Sequence, residues 1–299
     1  MSTITDYIKN LRIFVQNHIR GTIPGDALVS FFKVLGVNDL LTSIVYSQDR
    51  KVPTLSMQNA EKYFVKHQKD VEFIASLLSD DLSREVYFSA IKYRNTHNPK
   101  DAPVYSKHDQ YFVKDIVSLS DNEVFVDCGA YDGDTMKEFI KVSGGKYQSI
   151  VCFEPVEDYH KRLKKRGNGK SVTAIRAGVY KESTTLNFND EGGKGSAIAS
   201  SAEHTISIPV CAIDDVPECK DATFIKMDVE GAELDALHGG KETILRNKPK
   251  LAICIYHYHR DFVEIPKYLH SLVPEYKFYI RHHAFSINET VLYAIPPTE

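Results

Sequence analysis

The stretch VFVDCGAYDGDT, Val124 to Thr135, decides the fold. It begins as an apolar, β-branched strand and then turns through two glycines set among three aspartates. A glycine turn that closes a strand and opens a helix is where a Rossmann-like sheet meets its ligand. In a dinucleotide fingerprint, the second glycine lets the backbone approach a pyrophosphate. Here that position is Tyr131, whose side chain would obstruct the approach, and Asp127, Asp132 and Asp134 would repel a diphosphate. A small cationic ligand suits the loop better. Gly129 and Gly133 supply the tight turn and close backbone contact, with Ala130 and Tyr131 between them. Asp134 reads as a cap of the following helix. Asp127 precedes the turn and cannot play that part.

Outward from this stretch, short β-branched runs alternate with polar helical ones: EVFVDCG, DTMKEFIKVSG, YQSIVCFEP, VEDYHKRLKKRG, SVTAIRAGV, TFIKMDVEG, AELDALHGGKETILRN and PKLAICIYH. That texture predicts an α/β, doubly wound, mostly parallel sheet. The tail, YKFYIRHHAFSINETVLYAIPP, reads as a strand pair that closes the sheet in antiparallel fashion. Upstream the texture is helical. Apolar residues from Ile4 to Ile19 fall on one face, DALVSFFKVLG forms a short helix, and NAEKYFVKHQKDVEFIASLLSD carries a clear stripe. The next helix has Asp81 or Ser83 as its expected N-cap. The polar segment 96–109, with two prolines, sets the expected boundary between a helical region (1–105) and the α/β domain (106–299). The helical region shows no chemistry of its own and reads as scaffold, lid or partner surface, with homo-oligomerisation through it one reading.

Composition bounds the rest. With 42% hydrophobic and 26% charged residues, the chain can bury a sizeable core. A net charge of −3, both signs interspersed, gives no field for nucleic acid. Five cysteines form no CxxC pair, and Cys128, Cys152 and Cys254 lie inside apolar runs. They read as small hydrophobes in a reducing, cytoplasmic setting. No signal peptide and no membrane span are evident.

In such folds ligands sit at the carboxyl ends of the strands. Glu154 and Pro155 end the second strand, where an acidic residue accepts ribose hydroxyls. Ala177 and Gly178, around the third strand end, are small enough for an adenine to lie over the backbone. S-adenosylmethionine, with a sulfonium, an ammonium and no phosphate, fits these features, and Asp127 would bind its ammonium directly or through water. In the fourth strand Lys226, Asp228 and Glu230 alternate, so an extended backbone places them on one face. Three charges there are costly unless paired or functional. Lys226 either neutralises one carboxylate or holds Asp228 ionised, while Glu230 either orients an acceptor or, with Glu233, caps the next helix. His257 and His259 follow at the fifth strand end, where an imidazole can serve as a base. A divalent ion bridging Asp228, Glu230 and an acceptor is compatible with these residues, but no ligand spacing demands one and none is assigned. The glycine-rich segment 189–200 reads as a loop over the site or a plain surface excursion.

At VFVDCGAYDGDT, CFEP and IDDV…FIKMDVEGAELDALHGG the chain resembles the FkbM family of S-adenosylmethionine-dependent methyltransferases, over roughly residues 108–296. The resemblance implies a class I methyltransferase fold with a seven-stranded sheet. It further implies S-adenosylmethionine as methyl donor and a hydroxyl of a sugar, glycan or related natural product as acceptor. Carried over residue by residue, Asp127, Gly129, Gly133 and Glu154 match the cofactor motif, and Asp228, Glu230 and Glu233 match the acidic block. Asp228 is the first candidate for the base and His257 its competitor. A non-catalytic cofactor-binding scaffold and an NAD-dependent oxidoreductase stand as the alternatives.

Overall fold

A computed structural model describes residues 60–189 and 205–297 of the chain. The expected helices within 1–59 and most of the glycine-rich segment 189–200 lie outside the described residues. One compact unit runs from Asn59 to Glu299.

This unit opens with three helices: α1 (Ala60–Lys66), α2 (Gln68–Leu77) and α3 (Asp81–Thr96). The stripe expected to make one helix is thus broken at His67. The N-cap of α3 is Asp80, ahead of both expected candidates, Asp81 and Ser83, and its carboxylate accepts from the Ser83 amide at 2.6 Å. A cap must sit in extended backbone outside the helix, as Asp80 does, whereas Asp81 and Ser83 already lie in the first turn.

Seven strands then build the main sheet: β1 (Val124–Cys128), β2 (Ser149–Phe153), β3 (Val172–Ile175), β7 (Phe224–Met227), β8 (Lys250–Cys254), β9 (Lys277–His282) and β10 (Thr290–Ile295). Their order is β3-β2-β1-β7-β8-β10-β9. All neighbours are parallel except β10, which inserts between β8 and β9 antiparallel to both. The expected doubly wound sheet and antiparallel closure are therefore both present. Between β3 and β7 the chain makes a second, three-stranded sheet from β4 (Gly178–Val179), β5 (Thr184–Asn189) and β6 (Thr205–Cys211). The run read as one third strand thus divides: β3 ends at Ile175, and Gly178 pairs with Val210 in the other sheet.

Alternate strand residues point to opposite faces, and both faces are covered. Val126, Val151, Ile225 and Ile253 pack with Phe262 and Ile265 of α8 (Asp261–Leu272) and with Phe64, Ile74 and Tyr87 of α1–α3. Phe125, Ile150, Phe224 and Ala252 face Phe112, Met136 and Phe139, the last two from α4 (Asp134–Val142). Cys128, Cys152 and Cys254 are free and fully buried in these layers. The helices Ala60–Thr96 share the core of the sheet, so the expected boundary at residue 105 does not coincide with a division between compact units, which falls at Gln58/Asn59. Among the described residues, no helix is long and apolar enough to cross a membrane.

Candidate functional site

Strand order reverses at β1, which has β2 on one side and β7 on the other. Crossovers leave this point on opposite faces, so a crevice opens at the carboxyl ends of these strands. It holds a cavity of about 340 Å³. Gly129 and Tyr131 of the β1 turn, Glu154 at the tip of β2, and Asp228 and Glu230 after β7 line one side. Val179, Ile208 and Val210 of the second sheet form an apolar wall. Gly129 lies at φ +82°, and a Cβ there would stand 1.9 Å from the Asp228 carbonyl oxygen. Only glycine lets the first turn approach β7 so closely.

The cavity is acidic. Asp134, Glu138, Glu154, Asp228, Glu230 and Glu289 all contribute to its wall, and Lys226 is the one lysine or arginine among its described lining residues. Lys226 is nevertheless turned inward. Its Nζ lies 3.0 Å from Asp127 Oδ1 and donates to the Gly129 carbonyl at 2.8 Å. The two are register partners across β1 and β7, so their side chains leave the sheet on the same face. Asp127 is fully buried and Lys226 nearly so. Burial raises the Asp127 pKa, against the pull of the Lys226 ammonium. Burial works against the charged lysine too, but Asp127 and Asp228 hold its pKa above the ordinary range. Asp127 is not among the residues that line the cavity. Lys226 neutralises Asp127, the paired alternative, with the partner fixed by register rather than by sequence neighbourhood.

Glu154 is 6% exposed, yet it faces the cavity. Its Oε1 accepts from the Val156 amide at 2.8 Å. Burial lifts its pKa to about 7, although the Val156 and Tyr131 amides favour the carboxylate. Tyr131, at φ 47°, sets its ring 4.2 Å from that of Tyr159, and both rings line the cavity. Pro155 and Gly178 line it as well, whereas Ala177 does not; it is buried at the break between the two sheets. Ala130 and Gly133 are also off the wall. Ala130 is fully buried with its amide bound to the Phe153 carbonyl, and Gly133, at φ 88°, is the N-cap of α4. Asp134 therefore sits in the first turn rather than at the cap, and Asp132 forms a two-pronged pair with Arg166 at 2.7 and 2.9 Å.

After Met227 the backbone leaves extended geometry, and Glu230 adopts φ 56°. The alternation expected to align Lys226, Asp228 and Glu230 thus stops at Asp228. Asp228 accepts from Tyr256 Oη at 3.0 Å and Tyr111 Oη at 3.2 Å. Burial pushes its pKa up, but Lys226, His257 and these two phenols outweigh it and hold the carboxyl below the ordinary range. His257 stands behind this wall rather than in it. Its Nε2 is 3.6 Å from Asp228 Oδ1 and 3.4 Å from Glu230 Oε2, and its Nδ1 is 3.1 Å from Glu233 Oε1. Burial opposes its charge, but Glu233, Glu230 and Asp228 raise its pKa well above that of a free imidazole. Glu233 is fully buried and accepts from the Val229 amide at 2.8 Å, which ties down the turn before helix α6 (Glu233–Gly239). His259 is separate, with its ring edge-on to Phe64 of α1.

Sequence reasoning did not single out Tyr111, Tyr256, Tyr159 or Glu289. Tyr256 carried a signal, since it lies two residues past the end of β8. Glu289 comes from the turn before β10 and is held by Gln110 at 2.6 Å, a meeting of residues 179 positions apart.

A family model described as the methyltransferase FkbM domain matches residues 127–285. Among solved structures, a crystal structure of methyltransferase FkbM from Methylobacillus flagellatus KT is similar to the chain, with a TM-score of 0.68 and 28% identity. The match covers 78% of this chain and 60% of that one, so the chain spans about 60% of the length of that relative. An rRNA methylase from Streptococcus thermophilus matches at a TM-score of 0.39 and 15% identity, over 60% of this chain and 90% of that one. Comparison with curated proteins returns no match.

Proposed function

The chain belongs to the FkbM methyltransferase domain family, and from that membership we propose that it methylates a hydroxyl oxygen of a sugar, glycan or related natural product, with S-adenosylmethionine as donor. The observation that carries this reading is the sign of the cavity. Among its described lining residues six are carboxylates, and the single lysine is committed to Asp127. A cationic, phosphate-free ligand fits such a wall; a dinucleotide, whose pyrophosphate would meet Tyr131 and no available cation among the described lining residues, does not.

Glu154 would hold the ribose hydroxyls, as an acidic residue at that strand end does in nucleotide folds. Tyr131 and Tyr159 offer aromatic faces beside it, and the apolar wall of the second sheet excludes water. When bound, the cofactor supplies a methyl group on a sulfonium that departs as a neutral thioether. Asp228, at the cavity wall and held by two phenols, would align the acceptor hydroxyl and receive its proton at a carboxylate oxygen. The proton becomes acidic as the oxygen takes up the methyl group, so a carboxylate of low pKa can still accept it. Asp127 serves here as a structural partner of Lys226, not as a ligand.

Calorimetric titration with S-adenosylmethionine and S-adenosylhomocysteine tests the donor. Because the Glu154 carboxyl is held near pKa 7 by burial, its ionised, hydroxyl-accepting form grows above that pH. Affinity should therefore rise from pH 6 to pH 8, and Glu154→Gln should be weaker and flat across the range. Equal affinity of that variant, or binding of NAD instead, would overturn the reading.

A further inference from the structure

We propose that His257 is a positioning residue of the site: a fixed imidazolium that clamps the turn at residues 228–233 and keeps Asp228 ionised at the cavity wall, without itself taking a proton from the acceptor. The pairing of β7 with β8 brings the two segments together. Met227 is the register partner of Ile253, so the turn after β7 and the loop after β8 leave the sheet side by side. Three carboxylates converge on the ring. Asp228 Oδ1 lies 3.6 Å and Glu230 Oε2 3.4 Å from Nε2, and Glu233 Oε1 lies 3.1 Å from Nδ1.

Carboxylates at both ends of the ring decide its charge. A neutral imidazole has a proton on one nitrogen and a lone pair on the other. Whichever nitrogen holds the lone pair, an anion stands beside it. Only the doubly protonated ring is positive at both ends. Both nitrogens are shielded from solvent, and neither makes an aligned hydrogen bond among the described residues. A neutral ring would be desolvated there with no hydrogen bond in return. The attraction of a cation for these anions depends on distance and needs no such alignment. The other groups around the ring do not reverse the balance. The Tyr256 ring lies tilted against it at 4.2 Å, and Asp261 of α8 is lifted to about 8 by burial and then by Glu233. Arg260 stands 3.9 Å from Asp261 and Lys226 3.0 Å from Asp127, so each of these cations has a carboxylate of its own.

The charge has a structural use. Glu233 Oε1 accepts from the Val229 amide at 2.8 Å and the Gly231 amide at 3.4 Å, which folds the turn over the helix start. Glu230 and Gly231 both take left-handed backbone, at φ 56° and 95°, a conformation that costs energy at the glutamate. The result gathers like charges, with Asp228 and Glu230 within 3.6 Å of one nitrogen. Carboxylates that share a site disfavour each other's ionised form, and a cation among them offsets this. His257 is one of the groups that hold the Asp228 carboxyl below its ordinary range. A ring already protonated at both nitrogens has no lone pair to receive a further proton. The competition between Asp228 and His257 as base therefore goes to Asp228, and this last step alone rests on the methyl-transfer reading.

The test is a long-range ¹H–¹⁵N correlation spectrum of the full chain, labelled with ¹⁵N-histidine and taken from about pH 6 to about pH 9. One imidazole should keep both nitrogens protonated throughout, where an ordinary histidine, with a pKa near 6.5, is neutral by about pH 8. His282 and His283, held down to about 4 by burial, stay neutral and cannot be mistaken for it. The signal should vanish in His257→Gln, and in Glu233→Gln its midpoint should fall by roughly 1–3 pH units. No imidazolium at pH 8 in the wild type, where no variant needs to fold, would overturn the proposal, as would a signal unmoved in Glu233→Gln. A methyl-transfer pH profile separates positioning from proton transfer. Loss of the cation in His257→Gln should raise the Asp228 pKa, moving the acid limb of turnover up by about one pH unit and costing less activity at alkaline than at acid pH. A fall of about 10²-fold or more at every pH, with the acid limb unmoved, would make His257 the base and overturn the assignment. Absence of turnover in the wild type would count against the methyltransferase reading alone, since the spectrum decides the charge without it.

Discussion

Two charged pairs at the site pull in opposite directions, and the difference is visible residue by residue. Asp228 faces the cavity with its charge supported by Lys226, His257 and two phenols. Replacing it by asparagine keeps the shape and removes the proposed proton acceptor. Turnover of Asp228→Asn is therefore expected to fall by about 10²-fold or more, while S-adenosylmethionine affinity stays within a few-fold; full turnover in a radiolabelled methyl-transfer assay would refute the role. Asp127 and Lys226 are instead a buried structural pair. Removing one partner of such a pair costs roughly 3–5 kcal/mol, whereas replacing both with apolar residues of similar size is often close to neutral. Lys226→Met should accordingly lose several kcal/mol in urea unfolding, and Asp127→Leu with Lys226→Met should recover much of that loss. A double variant less stable than Lys226→Met alone would mean that the pair is not the reason for the charges. The sequence made Asp228 and Glu154 legible because strand ends announce themselves where apolar runs stop. Its place before the glycine turn pointed to Asp127 as an ammonium ligand, while nothing local records that β1 and β7 lie in register with Lys226 opposite it.

At the scale of elements, the strand–helix rhythm was legible because buried parallel strands are apolar throughout and their helices are not. The division of residues 172–179 between two sheets was not legible, since both pieces are β-branched and the break is a matter of partners. Nor was the junction between α3 and β9. Asp80 caps α3 and also meets Arg281 of β9, with Nη2 to Oδ2 at 2.7 Å. Burial raises the Asp80 carboxyl, but hydrogen bonds from Arg281 and Ser83 bring its pKa down to about 2. A folded-state pKa below the ordinary carboxyl value of 3.8 means that the pair stabilises the fold above that value. The contribution is then lost as pH falls through about 2. Asp80→Ala removes the cap, at about 1 kcal/mol, together with the link to β9. A fall of several degrees in Tm at pH 7 is expected, shrinking toward zero near pH 2. A Tm unchanged at pH 7 would show that the junction is held by packing alone.

For the whole molecule, the question is what the helices before the sheet are for. The sequence suggested a separate region because residues 96–109 are polar and carry two prolines. Polarity there marks a surface crossing, however, and not a boundary of the core. Phe64, Ile74, Val86 and Tyr87 from α1–α3 belong to the same buried cluster as Phe262, Ile265 and Phe278. Each large apolar side chain fully buried contributes about 1.5–3 kcal/mol, so these four together approach the roughly 5–15 kcal/mol by which a whole domain is stable. Polar contacts bind the same junction. Tyr87 donates to the Phe262 carbonyl, and the Ser79 amide to the Phe278 carbonyl at 2.8 Å. Arg94, buried in α3, donates to the carbonyls of Tyr256 and Ile287. Tyr256 is the residue whose hydroxyl steadies Asp228, so α3 braces the site from behind. A chain cut to residues 106–299 would expose that apolar surface and release the Tyr256 backbone. It is expected to bind a hydrophobic dye, to lack a cooperative thermal transition and to lose S-adenosylmethionine binding. A chain of residues 59–299 is expected to melt cooperatively. Cooperative melting of 106–299 with cofactor affinity intact would instead make the helices dispensable and restore the boundary at residue 105.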